Sequence, residues 1–196
     1  MTCTRGMLAA ALLGVTLLVT AVRADTPVSH YVSSDAQSIL EFTFTQAGAQ
    51  NKGRFTRFPV KFDFSPDNLA GSRLEVTVDM TSLDSGDKER DDTLRGADLF
   101  AVAKYPQAHF LATQFAKSGN GYEAIGKLTI RDATRDLRLP FTFRTPQGGA
   151  SFAYMGGRTT LKRLDYGVGQ GDWKATDQVG NDVVVSFTVR LEPAAH

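Results

Sequence analysis

The chain has 196 residues, 42% of them hydrophobic, and its 22 Lys and Arg against 21 Asp and Glu leave a net charge of +1. A near-neutral balance with basic residues spread along the chain lacks the dense cationic face that nucleic acid or an anionic membrane surface attracts. The single cysteine is Cys3, so the rest of the chain draws its stability from an apolar core and not from disulfides.

Arg5 precedes an apolar run from Met7 to Val22, which ends in Val22-Arg23-Ala24. This is the pattern of a secretory signal peptide covering residues 1–24, with an oxidising destination outside the cytoplasm. The run sits at the short edge of the roughly 17–25 residues that a membrane anchor needs, so a retained anchor is the rival reading. Cys3 lies ahead of the run and cannot become a lipidated first residue. Residues 25–196 then form one domain of about 170 residues, enough to bury roughly 68–70% of the unfolded surface.

Val28 to Val32 reads as a short strand. From Ser38 to Thr45, Leu40, Phe42 and Phe44 alternate with Glu41, Thr43 and Thr45, the period of a half-buried strand. Gly48 to Gly53 reads as a turn. From Arg54 to Phe64, Phe58, Val60, Phe62 and Phe64 share one face, and Pro59 marks an edge or bulge because it has no N–H to give a ladder. Ser65-Pro66-Asp67-Asn68 is turn chemistry, and Arg73 to Met80 alternates again.

Ser82 to Pro106 breaks this pattern with a dense block of charge. Asp87 can cap a helix of about nine residues, and Gly96 suits the left-handed residue after its C-terminus. Asp91 and Arg95 stand one turn apart in the favourable order. Leu83, Leu94, Leu99 and Phe100 would anchor the segment, and a helix beside antiparallel strands suggests a lid or plug. Strand character resumes at Gln107 to Lys117. Ser118 to Gly121 forms a hairpin turn into Tyr122 to Arg131, and Asp132 to Arg135 separates that strand from Leu137 to Arg144. Ser151 to Met155 and Arg158 to Tyr166 are weaker strands, Gly167 to Gly171 is a loop before Trp173, and Asp182 to Leu191 is the last strand. Eight to ten antiparallel strands with no strand-helix alternation make an all-β sandwich or barrel with one short helical insertion.

All 13 phenylalanines follow residue 24, and most fall on the apolar side of a strand. They form either a packed core or the lining of a cavity, since an eight-stranded barrel is just wide enough to fill with side chains or to hold one small ligand. Catalytic signals are thin. His30, His109 and His196 have no metal-ligand spacing, and His109 lies opposite Phe110 in strand parity, which favours a surface role. Asp84 to Asp92 lacks the order of a calcium loop and is interleaved with Lys88 and Arg90, as a solvated face would be. Gly167-Val168-Gly169-Gln170-Gly171 lacks the strand, helix and lysine of a phosphate loop. Neither a catalytic residue nor a metal site is expected, and no cofactor is required.

The ordered set Gly53-Arg54-Phe55, Phe62 to Leu69, Ser82 to Gly86, Arg90-Asp91, Leu94-Arg95, Asp98-Leu99-Phe100, Tyr105-Pro106, Gly126 to Ile130 and Arg163 to Val168 resembles the YceI-like family of periplasmic polyisoprenoid-binding proteins. Asp132 departs from the glycine many members carry there, and Gly96-Ala97 from their small polar residue. The resemblance implies an antiparallel lipocalin-like β-barrel of about eight strands that holds a polyisoprenoid, an isoprenoid quinone or a similar amphiphile as cargo. It implies a chain-binding lining of Phe42, Phe44, Phe58, Phe62, Phe100, Phe110, Phe141 and Phe143, with Arg163, Asp165 and Tyr166 as polar partners of the head or as a salt-linked corner of the barrel. A membrane-protein partner and a homodimer stay open. The other readings are a solid-cored envelope interaction module without cargo and a hydrolase or isomerase based on His109.

Overall fold

The computed structural model describes residues 26–148 and 151–195. The apolar leader, Cys3 and His196 lie outside the described residues. Eleven strands are formed among those described: β1 (Ser29–Ser33), β2 (Ile39–Gln46), β3 (Ala49–Phe55), β4 (Val60–Phe64), β5 (Arg73–Asp79), β6 (Leu83–Asp84), β7 (Gln107–Ser118), β8 (Gly121–Ile130), β9 (Ala133–Arg144), β10 (Ala153–Lys162) and β11 (Asp182–Pro193), with one helix, α1 (Lys88–Arg95).

Eleven strands make eight staves, because three staves are broken in the middle. β1 continues into β2 past a 3-10 turn at Asp35–Gln37, β3 into β4 past Pro59, and β5 into β6 past a 3-10 turn at Met80–Ser82. The long β11 holds the first stave in two pieces: Leu191 to Pro193 pair with β1, and Val184 to Thr188 pair with β2. β4 lies between β1 and β5, while β3 lies between β2 and β6. From β5 the order runs β7, β8, β9, β10 and back to β11, every neighbour antiparallel, so the sheet closes into a barrel.

Period-two alternation is what closes it with one face inward. Phe58, Val60, Phe62 and Phe64 are at most 3% exposed, sharing a face through the break at Pro59. That break still hydrogen-bonds: the Pro59 carbonyl accepts from Thr77 N at 3.1 Å and the Arg57 carbonyl from Asp79 N at 3.0 Å.

Several local expectations change. Gly53 lies inside β3 and not in a turn; a Cβ there would sit 2.5 Å from Phe42 Cζ, so the missing side chain makes room for a ring. The turn itself is Ala47 and Gly48, both at positive φ (47° and 78°). The two weak strands after residue 150 are one strand, β10, and Arg163–Tyr166 is a 3-10 turn. The hairpin between β8 and β9 is tighter than the sequence suggests: Arg131 and Asp132 alone connect them, with Arg131 at φ 56°. Gly96 has φ −61°, not a left-handed value, because its N–H bonds back to the Thr93 carbonyl at 3.0 Å and the chain turns off directly.

Candidate functional site

The interior of the barrel has two unlike halves. At one end, rings from four strands meet. Phe62 stacks on Phe64 at 4.8 Å between centroids, Phe64 meets Tyr122 at 5.0 Å and Phe143 at 4.9 Å, and Phe62 meets Phe141 edge-on at 5.8 Å. Phe115 joins them at 6.1 Å from Phe62. Such pairs add stabilisation beyond their buried area, and this end is solid.

The other half encloses a cavity of about 460 Å³. Its wall is aliphatic and aromatic: Leu40, Phe42 and Phe44 from β2, Val76 and Val78 from β5, Phe110 from β7, Leu128 and Ile130 from β8, Leu137 and Leu139 from β9, Leu161 from β10, and Val183, Val185 and Phe187 from β11. Phe42, Phe55 and Phe100 pack against one another at 5.4 to 6.4 Å along one side. Polar side chains on the lining include Gln46, Arg90, Thr93, Thr159 and Tyr166.

The cavity is covered by a cap built from α1, the turn after it and the segment from Arg163 to Val179. Asp87 caps α1 by accepting from Arg90 N at 3.0 Å. Leu94 and Leu99 are buried under it, as the spacing of apolar residues requires. Asp91 is also buried: its carboxylate accepts from Ser85 N at 2.8 Å and lies 3.9 Å from Arg95, which donates to the Leu83 carbonyl. The two parts of the cap are tied together. Arg131 donates to the carbonyls of Leu99 and Gly167, and the Asp98 carbonyl accepts from Gly169 N at 2.9 Å and Gln170 N at 2.7 Å.

Arg163 is 5% exposed and has no carboxylate partner among the described residues. It donates to four main-chain carbonyls: Gly180 at 3.0 Å, Val168 at 2.9 Å, Val179 at 2.7 Å and Ala175 at 3.4 Å. The planar fork of a guanidinium can reach several acceptors at once, which a lysine cannot do. Burial draws its pKa below the ordinary value. The corner of the barrel is therefore linked through carbonyls and not through salt. Gly169, at φ 114°, belongs to it, since a Cβ there would lie 1.8 Å from Arg163 Nη1. Tyr166 is 4% exposed on the cavity lining, burial raises its pKa, and its hydroxyl takes no hydrogen bond among the described residues.

Of the residues singled out in the sequence, Phe42, Phe44, Phe58, Phe100, Phe110, Arg163 and Tyr166 line the cavity. Phe62, Phe141 and Phe143 stand in the ring cluster at the solid end, where the rings of β4 and β9, strands that do not pair, meet across the barrel. Asp165 is exposed and off the lining. Residues missed from sequence include Val76, Val78 and Phe187, whose inward parity was the available signal, and Phe55, which falls opposite Phe58 in an unbroken strand and lines the cavity because the stave breaks between β3 and β4. His30 is exposed and bonded to Asp63 at 2.6 Å, and His109 is exposed beside Thr77 at 3.3 Å, both away from the lining. Among the described residues no three His, Cys, Asp or Glu side chains are grouped to hold a metal, and no helix is long and apolar enough to cross a membrane.

Comparison with known proteins gives this geometry a relationship. A UPF0312 protein of Vibrio cholerae is 39% identical over 124 residues, which are 60% of this chain and 64% of the relative, so the chain spans somewhat less than two thirds of that relative's length. A UPF0312 protein of Yersinia pestis is 39% identical over 87 residues, 44% of this chain and 45% of its own. Among solved structures, BcnA of Burkholderia cenocepacia is similar with a TM-score of 0.76 at 30% identity, covering 81% of this chain and 98% of BcnA. A polyisoprenoid binding domain from Saccharophagus degradans shares the fold with a TM-score of 0.62 at 17% identity, over 85% of this chain and 99% of that one. The YceI-like domain model matches residues 31–191, and the chain belongs to the YceI-like family.

Proposed function

We propose that the protein is a periplasmic carrier that encloses the chain of an isoprenoid lipid, a polyisoprenoid or an isoprenoid quinone, in the hollow half of its barrel, without chemical turnover. The observation that carries this reading is the apolar cavity of about 460 Å³, a volume within the roughly 300–1,000 Å³ usual for small-molecule sites. An interior packed solid throughout would have suited an interaction module instead. Burial of an isoprenoid chain at about 25 cal/mol per Å² supplies the driving force. The head lies toward α1, where Gln46, Arg90 and Thr93 interrupt the apolar lining. The fold shared with a structure described as a polyisoprenoid binding domain supports the class of cargo, and the leader of residues 1–24 supports the compartment.

Native mass spectrometry of protein purified from the periplasm without detergent, followed by solvent extraction, tests this. A stoichiometric isoprenoid released from the protein is the expected result. Protein that is empty and takes up no added isoprenoid would overturn the carrier reading.

A further inference from the structure

The barrel wall is not laced all the way round. β10 reaches Lys162 and β9 begins at Ala133, yet the two pair only where Tyr154 to Gly157 face Arg144 to Phe141. By contrast β9 pairs with β8 from Ala133 to Phe141, and β10 pairs with β11 along its whole length. No ladder pair joins residues 133–140 to residues 158–162 among those described.

The sequence causes the break at Pro140. A Cβ on Gly157 would lie 2.3 Å from the Pro140 carbonyl oxygen, so that oxygen points toward β10. The N and the carbonyl of one strand residue point the same way, and the N–H that proline lacks is therefore missing on the β10 side. Past this point the ladder stops, and backbone groups that face the seam without a partner need water in its place. The inner lips of the seam are Leu137 and Leu139 on β9 and Thr159 and Leu161 on β10, and all four line the cavity.

We propose that this seam is the side opening through which the isoprenoid chain enters and leaves, an inference that rests on the carrier reading above. Parting the seam breaks no ladder pair. Lifting the cap would break the bonds that Arg131 makes to both its parts, and parting those parts would break the bonds to the Asp98 carbonyl, leaving carbonyls without donors.

The test joins the seam from outside. In a Cys3→Ser background, Arg138→Cys and Thr160→Cys replace exposed residues that the continued register sets opposite each other, off the lining, and a short bis-maleimide links them. All-trans-retinol, a fluorescent isoprenoid alcohol, is the probe. Linking is expected to slow uptake and release together by roughly tenfold or more, with affinity little changed. A control link between Thr129→Cys and Thr134→Cys, across a laced pair whose hydroxyls are 2.8 Å apart, leaves both rates as they were. Retinol exchange at the parental rate in seam-linked protein overturns the proposal and makes the cap the way in. Amide hydrogen exchange gives a second reading: the amides of Asp136, Arg138 and Thr160, which by strand alternation face the seam as Pro140 does, exchange fast in empty protein and slow down with retinol bound, and protection equal to β8 in the empty protein counts against an opening there. Unlinked protein that binds neither retinol nor an extracted isoprenoid removes the carrier reading itself, and the seam proposal falls with it.

Discussion

The solid and hollow halves of the barrel are written with the same alternation of inward and outward residues. In the solid half the inward positions of β4, β7, β8 and β9 carry Phe62, Phe64, Phe115, Tyr122, Phe141 and Phe143, rings long enough to meet across the centre. In the hollow half β5, β8, β10 and β11 turn in Val76, Val78, Leu128, Ile130, Leu161, Val183 and Val185, which stop short of one another. Hydrophobicity alone does not decide whether the interior closes, since Phe42, Phe44 and Phe110 line the cavity as well; it closes where rings from opposite strands meet. The hollow half then needs a cap held by specific polar bonds, while the solid half holds itself.

The comparison breaks most visibly at the solid end. Phe62 is fully buried and touches Phe64, Phe115, Phe141 and Phe143. Phe62→Ala should cost about 3–5 kcal/mol in urea unfolding, the range for a buried ring replaced by a methyl group. Isoprenoid bound per folded molecule should stay unchanged, because Phe62 does not line the cavity. Cargo lost in step with the ring would mean that the halves are not separate.

Arg163 is the matching test at the cap. Arg163→Met removes the donors of four carbonyls, two of them buried, and should cost roughly 3 kcal/mol. Arg163→Lys should restore little of this, since a single ammonium cannot reach the carbonyls of residues 168, 175, 179 and 180 together. Full rescue by lysine would show that charge alone holds the corner. Unlike Phe62→Ala, either change should also weaken retention of cargo, read as a faster release rate.

Strand alternation made an all-β sandwich or barrel legible, and the order of motifs made the family, and with it the barrel, legible. Neither could separate the halves, because Phe42 and Phe141 follow the same parity rule and differ only in what lies across the barrel from them. Phe115 was hidden for a further reason. In sequence it falls on the face opposite Phe110, and it turns inward because the register slips between Ala112 and Gln114, where β7 carries an extra residue. Gly53 read as a turn residue and Gly157 fell between two strand candidates, but each lies in a strand where a ring, Phe42 or Phe187, takes the space of a side chain. Arg163 looked like a partner for a head group, since the carbonyls that occupy it lie 5 to 17 residues away and come together only through the 3-10 turn and the loop after it.

Filling the hollow half tests the size argument directly. Val76→Phe with Val185→Phe adds two rings to the cavity wall. Overpacking an existing core costs about 1–3 kcal/mol, but here there is space, so the change in stability should stay at or below about 1 kcal/mol by the same scale. Cargo should be lost. Folded protein that still carries a stoichiometric isoprenoid would show that the chain lies elsewhere.

The smallest effect is expected where two of the broken staves are tied together. Asp79 ends β5 and accepts from Thr81 N at 2.9 Å and Thr81 Oγ1 at 2.6 Å, while Arg57, in the break between β3 and β4, donates to it at 2.9 Å and to Thr81 Oγ1 at 2.9 Å. The hydrogen bond from the Thr81 hydroxyl, then those from Arg57 and the Thr81 backbone, hold the Asp79 carboxyl below its ordinary pKa of 3.8. A carboxylate depressed in the folded state stabilises the fold at pH values above its unfolded pKa, and that contribution disappears as pH falls through the folded value. Asp79 and Arg57 are 32% and 58% exposed in their side chains, so solvent screening holds the contribution below about 1 kcal/mol. Asp79→Asn should therefore lower urea stability slightly at pH 7 and by the same amount at pH 5, with the difference from the parent shrinking below pH 3.8 as Asp79 itself takes up a proton. A difference that persists undiminished at the acid end would assign the effect to the geometry of the 3-10 turn at Met80–Ser82 and not to the charge, and the break between β5 and β6 would then be held by the cap on that turn alone.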